Sequence, residues 1–179
     1  MNIEANEFEL DRMIDAIRIA AAGPDASGAV KAILQSVVSQ PAELAASMPK
    51  FTERDVILFE DETVSTWYCR FLVGQTVPAH DHQMLATVAV YDGVERNEIW
   101  ERNESGDLRK KMDVRVGPGD VLQMGPDDIH SVSCDGEIDS QAIHVYLGKL
   151  TTVKRSLFNP SNGEVMSFDD ENYYRLIHS

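Results

Sequence analysis

From about Arg54 onward, apolar and polar residues alternate in short runs, and paired turn residues break those runs at Asp92-Gly93, Ser105-Gly106, Gly117-Pro118-Gly119, Asp135-Gly136 and Asn162-Gly163. A period of two places successive side chains on opposite faces of an extended chain, and Gly or Asp-Gly pairs supply the turns between strands. The pattern predicts strands over 54–60, 64–73, 84–91, 94–101, 109–116, 120–124, 129–134, 140–147 and 164–168. That number is enough for two packed sheets or a barrel, so this part of the chain is all-β.

Residues 7 to 48 read differently. Leu10, Met13, Ile14 and Ile17 recur at helical spacing, which predicts two or three helices before the strands begin. Breaks fall at Gly23-Pro24, with Asp25 or Ser27 as the next cap, and at Gln40-Pro41, where proline suits a first helical turn. The reading is one structural domain, with a helical segment (1–50) packed on a β domain (51–179). With 179 residues and 43% hydrophobic content, the chain can bury a core without disulfides or metal. A net charge of -14 repels nucleic-acid backbones and anionic lipids, so neither is an expected partner. Cys69 and Cys134 lack metal-type spacing and are read as reduced thiols. The start, Met1 to Glu7, is acidic where a signal peptide would be basic, and no apolar run approaches the roughly 20 residues that span a bilayer, which points to a cytoplasmic protein.

Four of the five histidines lie between residues 80 and 144, in His80-Asp81-His82, Asp128-Ile129-His130 and Ile143-His144-Val145-Tyr146. On a strand, His80 and His82 project to one side and Asp81 to the other. A closed β fold would bring His130 beside that pair, and three neutral imidazoles would leave positions open on a bound divalent ion. His144 taken alone is equally readable as a core histidine.

Gly74, five intervening residues, His80-Asp81-His82 and then Gly93 resemble the first cupin motif, and Gly119 with His130 resembles the second. The resemblance implies a mainly β fold, a cupin double-stranded β-helix carrying two or three N-terminal α-helices. Gly125 and Asp127 stand where the second motif has Pro and Gly, with Pro126 adjacent. Cupins commonly place a metal-binding Glu shortly after the second histidine, where this chain has Ala86 and Thr87. The nearest acids, Glu95 and Glu98, fall in the charged segment Glu95-Arg96-Asn97-Glu98 and are expected to form solvent-exposed pairs. A three-histidine set without Glu is similar to the thiol dioxygenases, in particular bacterial cysteine dioxygenase and 3-mercaptopropionate dioxygenase. The likeness extends over about 51–168. It includes His144-Val145-Tyr146, which matches the family's Ser-x-His-x-Tyr series with Ala142 in place of Ser, and the segment Arg155 to Glu164.

That resemblance implies Fe(II) held by His80, His82 and His130, a small carboxylate-bearing thiol and O2 as partners, and a sulfinate product. Tyr146 would then be the oriented hydroxyl beside the metal, with His144 holding it, and the missing Ser would leave the far side of His144 to water or backbone. Arg54 and Arg155 resemble the carboxylate-binding arginines of cysteine and mercaptopropionate dioxygenases respectively; either can also be read as an ordinary surface arginine. The crosslinking cysteine of animal cysteine dioxygenases has no counterpart. Other readings of the same residues are a Zn, Ni or Mn cupin hydrolase or isomerase, or a binding cupin without turnover. A monomer and a homodimer are both compatible with the sequence.

Overall fold

In the computed structural model, which describes residues 9–177, the helical segment forms α1 (Leu10–Ala21), α2 (Ala26–Val37) and α3 (Pro41–Ser47). The acidic start, Met1 to Glu7, lies outside the described residues. Asp25 caps α2 by accepting from the Gly28 N–H at 3.1 Å, while Ser27 donates instead to Gln123 across the fold. Pro41 occupies the first turn of α3.

Eleven strands follow: β1 (Asp55–Glu60), β2 (Ser65–Phe71), β3 (Thr76–His80), β4 (Ala86–Asp92), β5 (Glu95–Arg102), β6 (Leu108–Val116), β7 (Val121–Met124), β8 (Ile129–Cys134), β9 (Ser140–Tyr146), β10 (Ser156–Phe158) and β11 (Val165–Ser167), with a closing helix α4 (Asp170–Ile177). β10 and α4 go beyond the sequence expectation, and β3 carries His80 as expected but ends before His82. Pro78 interrupts β3, but it sits where the pairing with β8 shifts register between Val77 and His80, so its missing N–H breaks no regular ladder. β10 is a three-residue strand paired to β3 at Leu157 and His80. α4 is a short amphipathic helix at the end of the described chain that fully buries none of its residues.

The strands form two antiparallel sheets, in the orders β1-β2-β9-β4-β7 and β11-β10-β3-β8-β5-β6. Within them, β2-β9-β4-β7 face β3-β8-β5-β6, and the chain passes repeatedly from one sheet to the other. This is the eight-stranded jelly roll, or double-stranded β-helix. Tight turns permit the crossings. Gly93, at φ +63, lies between β4 and β5, where an added Cβ would sit 2.5 Å from the Asp139 carbonyl oxygen.

The first sheet is covered on both faces, which explains why every residue of β4 up to Tyr91 is buried. On its outer side Met13, Ile17, Val30, Leu34 and Leu44 of the helices pack with Tyr68, Ala89, Ile143 and Val145. Ile17 and Leu34 are fully buried, a stabilisation of roughly 1.5–3 kcal/mol each. On the inner side Val88, Val90, Ala142 and Tyr146 face the second sheet. Alternation along β9 therefore sends Ile143 and Val145 to the helices and leaves Ala142, His144 and Tyr146 to the barrel interior. Among the described residues no helix is long and apolar enough to cross a membrane, and both cysteines are unpaired thiols.

Candidate metal centre

His80 ends β3 and His130 lies directly opposite it on β8, so the two side chains share a face of the sheet. His82 stands just beyond the strand, where Gln83 turns the chain at φ 54. Asp81 points away and accepts from the Ser156 N–H at 2.8 Å, which ties the turn to β10. The ring centroids of the three histidines are 4.4–5.0 Å apart. One nitrogen from each lies within 4.8 Å of the others, and all three residues are buried.

Hydrogen bonds settle which nitrogen of His80 and of His130 faces the centre. His80 Nδ1 lies 2.8 Å from the Pro78 carbonyl oxygen and His130 Nδ1 lies 2.8 Å from Asn97 Oδ1. Both partners are acceptors, so each Nδ1 carries the hydrogen and each Nε2 offers a lone pair. His130 Nε2 is buried with no hydrogen-bond partner among the described residues. Burial pushes the His80 imidazolium down to about 4, and burial together with the neighbouring rings holds His82 and His130 well below the ordinary histidine value. Neutral, lone-pair-bearing, convergent nitrogens are what a divalent transition ion requires, so the residues present fit such an ion.

Beside the centre, the Tyr146 ring lies 5.0 Å from the His82 ring. The Tyr146 hydroxyl is 3.2 Å from His144 Nδ1, and both residues are buried. His144 Nε2 in turn lies 3.3 Å from Glu95 Oε1, on a carboxylate with no exposed surface. Burial opposes charge on His144, but Cys69, Tyr146 and Glu95 together outweigh it and raise its affinity for a proton. Burial raises the Tyr146 hydroxyl to about 12, which keeps it a phenol at neutral pH. The buried Cys69 thiol is also raised by its burial.

A cavity of about 280 Å³ opens onto these groups and is lined by the three histidines together with His144, Tyr146 and Arg155, among others. The Arg155 guanidinium stacks 4.1 Å above the Phe168 ring and makes no ion pair among the described residues; its charge is felt at His80, His82 and Tyr146. Phe168 closes edge-on over His80 at 5.3 Å. Arg54 also lines the cavity, but it is exposed at the mouth and donates to Gln75 Oε1 at 2.7 Å. Ala86 and Thr87 are buried within β4 and bring no carboxylate to the centre.

No protein-family model and no curated protein matches the sequence. Solved structures similar to it include a conserved protein with a double-stranded β-helix domain from Klebsiella pneumoniae, at 15% identity and TM-score 0.45, covering 63% of this chain and 86% of that one. A cupin-family protein from Methanocaldococcus jannaschii is similar at 10% identity and TM-score 0.46, with 58% and 90% covered. Procruciferin, an 11S globulin from Brassica napus, is similar at 17% identity and TM-score 0.40 over 48% of this chain, a match that spans only 21% of the globulin. The fold rests on the strand order of this chain itself, which is that of a double-stranded β-helix. The activity has to be read from the site.

Two sequence expectations are corrected. Glu98 does form exposed pairs, with Arg96 at 3.3 Å and Lys110 at 2.8 Å, but Glu95 is fully buried and meets His144. Alternation along β5 explains the split. Residues 95, 97 and 99 point into the barrel, and 96 and 98 point out. Asn97, which orients His130, was missed for the same reason: a charged segment conceals a period-two burial pattern. Ala142 leaves His144 bonded to Glu95, rather than to water or backbone.

Proposed function

We propose that the protein is a non-haem iron(II) thiol dioxygenase that converts a small carboxylate-bearing thiol and O2 to the sulfinate. The observation that carries this reading is an all-histidine centre, with no carboxylate among its donors, set directly beside a tyrosine hydroxyl that a buried histidine holds. Bound iron(II) would supply the redox chemistry that joins both atoms of dioxygen to the thiol sulfur. Arg155, half-buried and without an acidic partner among the described residues, binds the substrate carboxylate in two-pronged fashion. Arg54 gathers the anion at the cavity mouth. Tyr146 Oη donates a hydrogen bond toward the reacting groups when His144 Nδ1 is protonated, and with a neutral His144 ring a proton released by the thiol would pass to Tyr146 Oη as the phenolic hydrogen moves on to His144 Nδ1. Phe168 over His80 limits water at the centre.

The test is oxygen uptake by iron-loaded protein offered cysteine, 3-mercaptopropionate, cysteamine or mercaptosuccinate. Uptake with a carboxylate-bearing thiol and recovery of its sulfinate support the proposal, whereas no uptake with any of the four refutes it. Three histidines also suit zinc, nickel or manganese in hydrolysis or isomerisation. Stoichiometric retention of one of those metals, in a form that supports turnover, would establish that reading instead.

A further inference from the structure

Strand β5 turns two buried polar side chains inward, and each meets a histidine. Asn97 accepts from Nδ1 of His130. Glu95, two residues earlier on the same face, has no exposed surface, and its Oε1 lies 3.3 Å from Nε2 of His144. Among the described residues no lysine or arginine pairs with Glu95, and its second oxygen, Oε2, has no hydrogen-bond partner. A carboxylate taken out of water needs a cation or hydrogen-bond donors, and among the described residues the imidazole of His144 is the side chain that meets it.

We propose that Glu95 is a positioning residue whose carboxylate accepts the Nε2–H of His144 and so turns Nδ1 of that ring to the Tyr146 hydroxyl. This rests on the reading of His144 and Tyr146 as the proton-handling pair beside the metal centre. With Glu95 Oε1 as the acceptor, the contact at Nε2 places the hydrogen on that nitrogen. A neutral ring then presents a bare Nδ1, which accepts from the Tyr146 O–H. A protonated ring donates from Nδ1 to the Tyr146 oxygen, and the phenolic hydrogen turns into the cavity. The Glu95 contact is common to both states and holds the ring in place for either. The methyl group of Ala142 offers His144 no partner on its own strand, so support for the ring comes from β5 in the opposite sheet. The Cys69 thiol lies close to the same ring, but a thiol is a weak hydrogen-bond acceptor and burial keeps it protonated.

Nitrogen-15 NMR of the full chain, loaded with diamagnetic zinc and assigned with a His144→Gln variant, reads the position of the hydrogen directly. The expected result is a hydrogen on His144 Nε2, alone or together with one on Nδ1. A hydrogen on Nδ1 alone overturns the proposal. Glu95→Leu should shift the His144 signals to those of an unheld ring exchanging between tautomers, and Glu95→Gln, which keeps an oxygen at that place, should restore the Nε2–H signal. Unchanged His144 signals in folded Glu95→Leu protein also overturn the proposal. If Glu95→Leu does not fold, the unsubstituted chain and the Gln variant still decide. Oxygen uptake is measured separately. Its absence in the iron-loaded, unsubstituted protein refutes the proposed function and leaves the role of Glu95 to be decided by the NMR signals alone.

Discussion

The contact between Asn97 and His130 converts the geometry of the centre into a number. Asn97 is fully buried, His130 is 2% exposed, and the Nδ1 to Oδ1 distance is 2.8 Å, so water cannot replace the bond. Asn97→Leu keeps a side chain of similar length and removes the acceptor. The imidazole N–H is then buried without a partner, at a cost of about 1–3 kcal/mol, and the ring is free to turn its lone pair away from the other two. Some of that cost is offset in the fold, because Asn97 Nδ2 already lacks a partner and disappears with the substitution. The loss should therefore fall mainly on metal binding. Removing a hydrogen bond that orients a metal-binding histidine costs about 10–100-fold in affinity, or roughly 1.4–2.7 kcal/mol. Competition of zinc or cobalt between the protein and a chromophoric chelator measures the affinity, and far-UV circular dichroism confirms the fold. Ser131→Ala is the control. It lies next to His130 on β8 but faces the other way, accepting from Trp100 Nε1 at 3.1 Å, so its metal affinity should stay within about twofold of the unsubstituted chain. A folded Asn97→Leu protein with unchanged affinity would refute the assignment of His130 Nε2 as a metal donor.

Other perturbations separate the remaining roles. Tyr146→Phe should lower turnover by about 10²–10⁴-fold while metal content stays full, and equal loss of both would make Tyr146 structural. Arg155→Leu should raise the KM for 3-mercaptopropionate about 10–100-fold and change cysteamine little, because only the former carries a carboxylate; equal effects on both would rule out Arg155 as its anchor. Arg54→Ala should have a smaller effect on the same KM ratio, since it is exposed and already bonded to Gln75. In metal-free protein His80 titrates at about 4 when folded but near 6.5 when unfolded, so the unfolded chain binds more protons between those values. Stability is then full above about pH 6.5 and falls by roughly 3 kcal/mol as the pH drops toward 4, with His82 and His130 adding to the loss. A urea midpoint, measured in chelator, that does not move between about pH 7 and pH 5 would contradict this.

Much of the fold was legible because its signals are local. Asp25 and Pro41 mark helix starts through their own backbone chemistry, and alternation over 94–101 and 140–147 marks β5 and β9. β3 was legible only at its histidine end, where His80 was read on a strand; its extent back across Pro78 depends on the register shift against β8, and His82 falls just beyond it. α4 is only eight residues long, two turns, and fully buries none of them, so its periodic signal is brief. At the site, the H-x-H spacing brought His80 and His82 forward. Glu95 stayed hidden because four polar residues in a row read as surface, although Ile99 on the same face gave the phase from which inward positions 95 and 97 could have been counted.

The sequence by itself determined which donor types are available and how neighbours alternate along each strand, since both follow from covalent order and backbone period. Only the tertiary structure decided that His80 stands opposite His130, that Asn97 and Glu95 each reach a histidine from β5, and that Arg155 stacks on Phe168 while Arg54 stays at the mouth. Those relations join residues far apart in the chain and depend on strand register. The shifted proton affinities of the histidines depend further on burial, which exists only once the two sheets have closed around them.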